Sequence, residues 1–356
     1  MVTIPGTIQT EPSGHERRYL MITIKEVAKL AGVSVSTVSR VLNNLPDVNP
    51  QTREAVRGVI AATGYVPNAT ARTLKQTSTN IICVIVKGFQ NQFFAPIVEG
   101  IQFFIDKTDY IPLIHYIDES ADEVTAAEAL VAEKKALGVI FLGGSASSKA
   151  QSIARIKVPC VLATMSARDL ASTNTSSVCV DDFAAAGKAI EHLVGQGHRD
   201  IAILGGRRLD RDLVWNRFEG ARQCLAEHDL AFDDSRYIES KFSFEDAYRS
   251  IAAALSRNNK PFTALFAMSD IMAIGACRAI FDHGLKVPDD VSVIGFDGIQ
   301  IGRYYNPTLT SVRQPQDEIA RRSASLIIQN IKGINIGHNI VLDTEIVIGD
   351  SVRPCF

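Results

Sequence analysis

The sequence predicts two fold classes in series: a small all-α headpiece containing a helix-turn-helix, then a larger α/β domain of two lobes. Helix-capping signals and apolar residues spaced by three and four crowd into residues 21–66. Strand-like apolar runs separated by helical stretches fill the rest. Charge divides at the same place. From Met21 to Asn80, Lys25, Lys29, Arg40, Arg53, Arg57, Arg72 and Lys75 outweigh Glu26, Asp47 and Glu54, a formal +4, while Ile81 to Phe356 carries −6 of a total of −2. A basic head on an acidic body directs any polyanion to the head.

With 356 residues, 46% of them hydrophobic and 21% charged, the chain has room for two or three cores of ordinary globular composition. No apolar run reaches the length of a membrane span. Its six cysteines show neither paired nor metal-ligand spacing, and most sit inside apolar runs as small hydrophobes. This fits a reducing cytoplasm, and no metal or cofactor is expected. Residues 1–20 mix Pro, Gly, Ser and balanced charge, lack the apolar core of a signal peptide, and read as a disordered extension. Met21 opens the first patterned segment and is an alternative translation start.

In the head, Thr23 and Glu26 form a Thr-x-x-Glu capping box, and the helix runs to Ala31. Gly32 suits a tight turn. Ser34 caps a second helix, Val35 to Asn43, in which Val38, Val41 and Leu42 make one apolar stripe. Ser36, Thr37, Ser39, Arg40 and Asn43 are left on its other faces, free of acid and suited to phosphates and base edges. Asn49 and Pro50 announce a third helix that ends at Gly64. Two short helices about a turn, backed by a third, match a DNA-reading unit.

The blocks Ile24-Lys25-Glu26-Val27-Ala28, Ala31-Gly32-Val33-Ser34 and Thr37-Val38-Ser39-Arg40-Val41-Leu42-Asn43 resemble the headpiece signature of the lactose-repressor/galactose-repressor family. Gly64-Tyr65-Val66-Pro67-Asn68 and Ala71-Arg72-x-Leu74 continue it in register, and the similarity extends to about Ser351. The resemblance implies that Thr23, Ser34, Val35, Ser36, Thr37, Ser39, Arg40, Asn43, Asn68, Ala71, Leu74 and Lys75 meet DNA. Val35, Ser36 and Arg40 are expected to read bases, while Thr37, Ser39 and Asn43 hold phosphates. Residues 67–80 are expected to act as a hinge whose short helix forms mainly on DNA, with Leu74 wedged into the minor groove.

The body shows strand-like runs at Ile81–Val86, Ile111–His115, Val139–Leu142, Val158–Leu162, Val178–Val180, Ile201–Leu204, Ala264–Ala267 and Val291–Phe296. Alternation with helices predicts parallel sheets covered on both faces, too many strands for one open sheet. The resemblance implies a periplasmic-binding-protein-like body over 81–356. Its N-lobe would hold 81–181 and 315–341 and its C-lobe 182–314 and 342–356, with crossings near Asp181, Gln314 and Leu342. Ligands of such folds bind at strand carboxyl ends, between lobes. Phe93 and Phe94 follow the first strand, and at least one of these rings is expected in the cleft. Arg217 offers a guanidinium fork, and Asp297 ends a strand as an acceptor. By resemblance Asp181, Arg211, Phe242 and Ser269 join them. Ser269-Asp270 replaces the Asn-Asp of many relatives, and Thr164 stands where many sugar-responsive relatives carry Asp.

The expected function is that of a cytoplasmic, nucleoid-associated, homodimeric transcriptional regulator, most often a repressor in this family. It would bind palindromic operator DNA under the control of a small polar effector such as a sugar or related metabolite. A solute-binding protein of transport fails on the missing signal peptide and the presence of the head. An enzyme finds no Gly-rich phosphate loop, nucleophile elbow or metal spacing. A phosphorylated carrier protein as corepressor is demanded by nothing in the sequence.

Overall fold

Helix α1, Ile24–Leu30, begins with both halves of the capping box: the Thr23 side chain accepts from Glu26 N–H, and the Glu26 carboxylate accepts from Thr23 N–H at 2.6 Å. This is a computed structural model, and it describes residues 22–42, 46–65, 79–88, 91–118, 121–144, 150–168, 170, 174–208, 213–257 and 262–355. The chain divides into two compact units between Thr77 and Ser78.

In the first unit Gly32 takes φ +65 at the turn, and Ser34 Oγ accepts from Thr37 N–H at 3.1 Å to start α2, Val35–Leu42. Asn49 Oδ1 accepts from Gln51 N–H at 2.9 Å and caps α3, Pro50–Thr63, which ends at left-handed Gly64. Val27, Ala28, Val38, Val41, Val48 and Val56 are buried together as the core. Burial of each valine is worth on the order of 1.5 kcal/mol or more, enough to hold helices too short to persist alone.

The second unit alternates strand and helix: β1 Ile81–Lys87, α4 Phe94–Ile105, β2 Ile111–Ile117, α5 Glu123–Lys134, β3 Gly138–Leu142, α6 Ala150–Ile153, β4 Cys160–Ala163, β5 Thr175–Val180. Then come α7 Asp182–Gly195, β6 Ile201–Gly205, α8 Leu213–Glu227, β7 Tyr237–Glu239, α9 Phe244–Arg257, β8 Ala264–Ala267 and α10 Asp270–Asp282. It closes with β9 Ser292–Asp297, β10 Thr310–Arg313, α11 Gln316–Ile331, β11 Asn339–Leu342 and β12 Glu345–Val347. One sheet has the order β11-β5-β4-β3-β1-β2, the other β12-β10-β9-β8-β6-β7. All pairings are parallel except β12 against β10. This is the two-lobed α/β body that the apolar runs predict. The chain passes between sheets three times: after β5, after β10 and after β11.

Strands β3, β4, β5, β6, β8 and β9 are buried at every position, as parallel strands roofed on both faces must be. Their limits depart from the apolar runs in an instructive way. The apolar run predicts β5 only from Val178, yet the strand starts at Thr175, where its buried hydroxyls find partners. Ser176 Oγ accepts from Gly337 and His338 N–H at 3.1 and 3.2 Å, and Ser177 Oγ donates to Asn339 Oδ1 at 2.7 Å. Among the described residues no helix is long and apolar enough to cross a membrane.

Candidate DNA-reading helix and inter-lobe site

In the headpiece, Val38 and Val41 pin α2 to the core, so the residues between them face outward by helical period. Val35, Ser36 and Arg40 are exposed, Val35 at 39%. Ser34 Oγ lies 2.7 Å from Ser36 Oγ and 2.8 Å from Thr37 Oγ1, a trio of hydroxyls at the amino end of the helix. Hydroxyls and free N–H groups there are donors for a phosphate. Thr23, Ser34 and Thr37 thus spend part of their hydrogen-bonding capacity on caps. Arg40 forms an ion pair with Asp47 at 2.8 Å, with side chains 56% and 50% exposed. Asp47, which the sequence offers only as one acid in a basic head, is thus the partner of the expected base-reading arginine. Asn43, Asn68, Ala71, Leu74 and Lys75 fall outside the described residues, as do most of the hinge and residues 1–21.

In the body, the carboxyl ends of several strands bring a charged cluster together. Arg217, on α8, is buried; its Nε donates to Asp182 Oδ1 at 2.8 Å and its Nη1 to Met268 O at 2.6 Å. Its guanidinium lies 3.7 Å over the centre of the Phe296 ring, a cation–π contact strengthened by dryness. Asp297, the next residue, is buried and accepts from Gln314 Nε2 at 2.8 Å. Burial pushes the Asp297 carboxyl well up, against the pull of Arg217, with Asp270 adding to the rise. Burial also raises Asp182, opposed by Arg217. Among the described residues, Arg217 Nη2 and Asp297 Oδ2 have no hydrogen-bond partner, leaving one donor and one acceptor open.

Backbone strain occurs directly at the ends of two strands, one in each sheet. Asp297 has φ 113, and Thr164, directly after β4, has φ 75, a left-handed conformation disfavoured for a β-branched residue. Such strain marks ligand clamps more often than plain scaffold.

The expected residues sort unequally. Asp181 is a helix cap, accepting from Ala184 N–H at 3.1 Å, and its side chain is exposed; the partner of Arg217 is Asp182. Phe93 is buried in the core at 3% exposure, and its carbonyl accepts from Gln316 Nε2 at 3.2 Å. Phe94, half-buried, lies against Gly143 at the end of β3, so it is the ring with surface to offer. Phe242 packs on Gly206 just past β6. Ser269 is buried and caps α10 through Met272 N–H at 3.4 Å. Arg211 lies outside the described residues. Sequence reasoning missed Asp182, Gln314 and Phe296 as members of the cluster. The signal available was Asp181-Asp182 behind a strand, which offered two carboxylates without saying which one turns inward.

Comparison with known proteins comes from both sequence and structure. Residues 23–68 match the family "Bacterial regulatory proteins, lacI family", and residues 190–352 match "Periplasmic binding protein-like domain". The chain is 38% identical to the HTH-type transcriptional regulator MalR of Clostridium butyricum, over 94% of this chain and 99% of that protein. It is 31% identical to the ribose operon repressor of Haemophilus influenzae, over 93% and 99%. The lac repressor dimer bound to operator and the anti-inducer ONPF superposes with a TM-score of 0.77 at 26% identity, over 93% and 99% of the two chains. The complex of the transcriptional regulator CelR with cellobiose superposes with a TM-score of 0.69 at 28% identity, over 93% and 99%.

Proposed function

The chain belongs to the lacI family of bacterial regulatory proteins, and from that premise we propose that it is an effector-controlled repressor of a metabolic operon. A dimer reads a palindromic operator, and a sugar or related polar metabolite binds between the lobes. The observation that carries the reading is the pairing, in one chain, of an exposed hydroxyl-and-arginine face on α2 with a charged cluster at strand ends in the body, in which Arg217 Nη2 and Asp297 Oδ2 are not engaged by the described residues.

Arg217 Nη2 donates to the effector and Asp297 Oδ2 accepts from it, while Phe94 and Phe242 cover its apolar faces. Binding favours a closed arrangement of lobes, and Leu74 in the hinge wedges the operator. The coupling is reciprocal: an effector that weakens operator binding is itself bound more weakly by the operator complex. The body is read as a sensor without a reaction of its own, in a cytoplasmic, nucleoid-associated protein.

Val35, Ser36 and Arg40 read bases; a bidentate arginine–guanine contact supplies about 1–3 kcal/mol of discrimination. Selection of duplexes from a randomised pool should return a two-fold symmetric sequence. Arg40→Ala should then flatten preference at one position per half-site; equal weakening on all sequences would reduce Arg40 to a phosphate contact. Asp47→Asn frees Arg40 from an exposed pair worth less than about 1 kcal/mol, so operator affinity should tighten by no more than about fivefold. Thermal-shift screening with sugars, sugar phosphates, nucleosides and purines identifies the effector, because a binder raises the melting temperature by mass action. Wild-type ligand affinity in Arg217→Lys would place the pocket elsewhere.

A further inference from the structure

Helices α7 and α8 run side by side in the same direction. At their amino ends Asp182 meets Arg217. Close to the same end, Gly220 comes so near Phe183 O that a Cβ there would stand 2.0 Å from it. At their carboxyl ends Glu191 meets Cys224 and His228. Among the described residues these last three are the one set of three His, Cys, Asp or Glu side chains whose ligand atoms all lie within 4.8 Å of one another.

The arrangement differs from a chance surface contact in its chemistry. Cys224 and His228 are four residues apart, on one face at the end of α8. Cys224 is 7% exposed, and its thiol points outward to Glu191 Oε2 at 3.7 Å. His228 Nε2 lies 2.6 Å from the same carboxylate oxygen. The imidazole and carboxylate are open to solvent, so an ion can enter. Tetrahedral zinc holds N and O ligands at about 2.0–2.2 Å and S at about 2.3 Å, which sets neighbouring ligand atoms roughly 3.4–3.7 Å apart. The sulfur-to-oxygen separation already fits. The imidazole-to-carboxylate contact needs to open by less than about 1 Å, a small adjustment for two surface side chains.

We propose that Glu191, Cys224 and His228 form a binding site for a borderline-soft divalent cation of the zinc class, with the fourth position left to water. On binding, the metal–sulfur bond replaces the thiol S–H and the proton passes to solvent. His228 binds through the Nε2 lone pair with its own proton on Nδ1, and the Glu191–His228 hydrogen bond gives way to two metal bonds. The ion would tie α7 to α8 about nine residues, or roughly 13 Å, from the end that holds Arg217.

The test uses the full chain, free of any affinity tag and stripped of metal, titrated with Co²⁺ and then Zn²⁺. Wild type should bind Co²⁺ stoichiometrically with a thiolate-to-cobalt charge-transfer band in the near ultraviolet, and Zn²⁺ should abolish it. Cys224→Ser should lose the band, and Cys355→Ser, at the one cysteine that is partly exposed, should keep it. His228→Gln and Glu191→Gln should weaken binding on the order of tenfold or more. These two positions are at the surface, so folding is not at stake if Cys224→Ser proves unstable. No charge-transfer band in wild type, a band that survives Cys224→Ser, or undiminished affinity in His228→Gln would each overturn the site.

Discussion

Arg217 and Asp182 are a buried ion pair, and such a pair is costly to break from one side. Removing one partner strands the other charge in a dry place, a loss of about 3–5 kcal/mol. Arg217→Ala should therefore lower unfolding free energy in urea by that amount, and the double variant with Asp182→Ala should lose less than the single. A strictly additive pair of losses would show that the two charges do not depend on each other. Asp270 makes a second prediction. It is buried, Oδ1 accepts from Ser311 Oγ at 2.6 Å and Oδ2 from Ile299 N–H at 2.7 Å, yet burial outweighs these donors and pushes the carboxyl up to about 7. The native state therefore holds this proton more tightly than the unfolded chain does. The contribution is fully present below pH about 4 and is lost as pH rises towards about 7. Unfolding measured across that window should show wild type losing up to about 4 kcal/mol relative to Asp270→Asn, with stability difference plotted against pH. A flat difference would mean that Asp270 stays ionised throughout. At this scale the sequence was only partly legible. Arg217 and Asp297 stood out by residue type behind strands, whereas the inward turn of Asp182 rather than Asp181 depends on how α7 enters the sheet.

Among elements, legibility follows how local the determining forces are. The start of α1 was readable because the capping box is made within four residues. Thr23→Ala removes one acceptor and should cost the headpiece about 1 kcal/mol. Hydrogen exchange at the Glu26 amide, whose N–H donates to Thr23, should then speed up about fivefold in the intact protein. No change there would mean that the core of Val27, Val38 and Val56 holds the turn without its cap. Buried strands such as β1 and β3 were equally plain, since each is largely a run of branched apolar residues. The short strands were not. β10 has one large apolar residue, Val312, among its four, and β7 and β12 are edge segments of three residues each. Their pairing is dictated by neighbours already in place, which no local pattern reports.

For the whole molecule, the charge division has a measurable outcome. The head carries the formal positive charge and the body the negative, so operator binding should weaken steeply with salt while effector binding stays nearly level. Sedimentation at micromolar concentration should show a dimer, because one headpiece buries too little surface for tight specific binding. A stable monomer with full operator affinity would defeat this reading. The fold class was legible at this scale because it rests on repetition: many alternating segments vote for it, and mistakes at single boundaries do not matter. The meeting of Asp182, Arg217, Met268 and Asp297 was beyond reach, since each of these residues stands about 30–50 positions from the next, in separate elements, and only the threading of the sheet joins them.

That threading also sets an order of events at the ribosome. β11, the last-made strand of its sheet, is an outer strand of the sheet begun by β1, so the first lobe has no complete sheet until Leu342 has been synthesised. The headpiece is finished by Tyr65. At about 5–20 residues per second, roughly 15–60 s separate the two moments. For that interval each nascent chain displays a completed DNA reader with no completed sensor to govern it. A lone head buries too little surface for tight specific binding, and that weakness is the guard against premature repression during this interval.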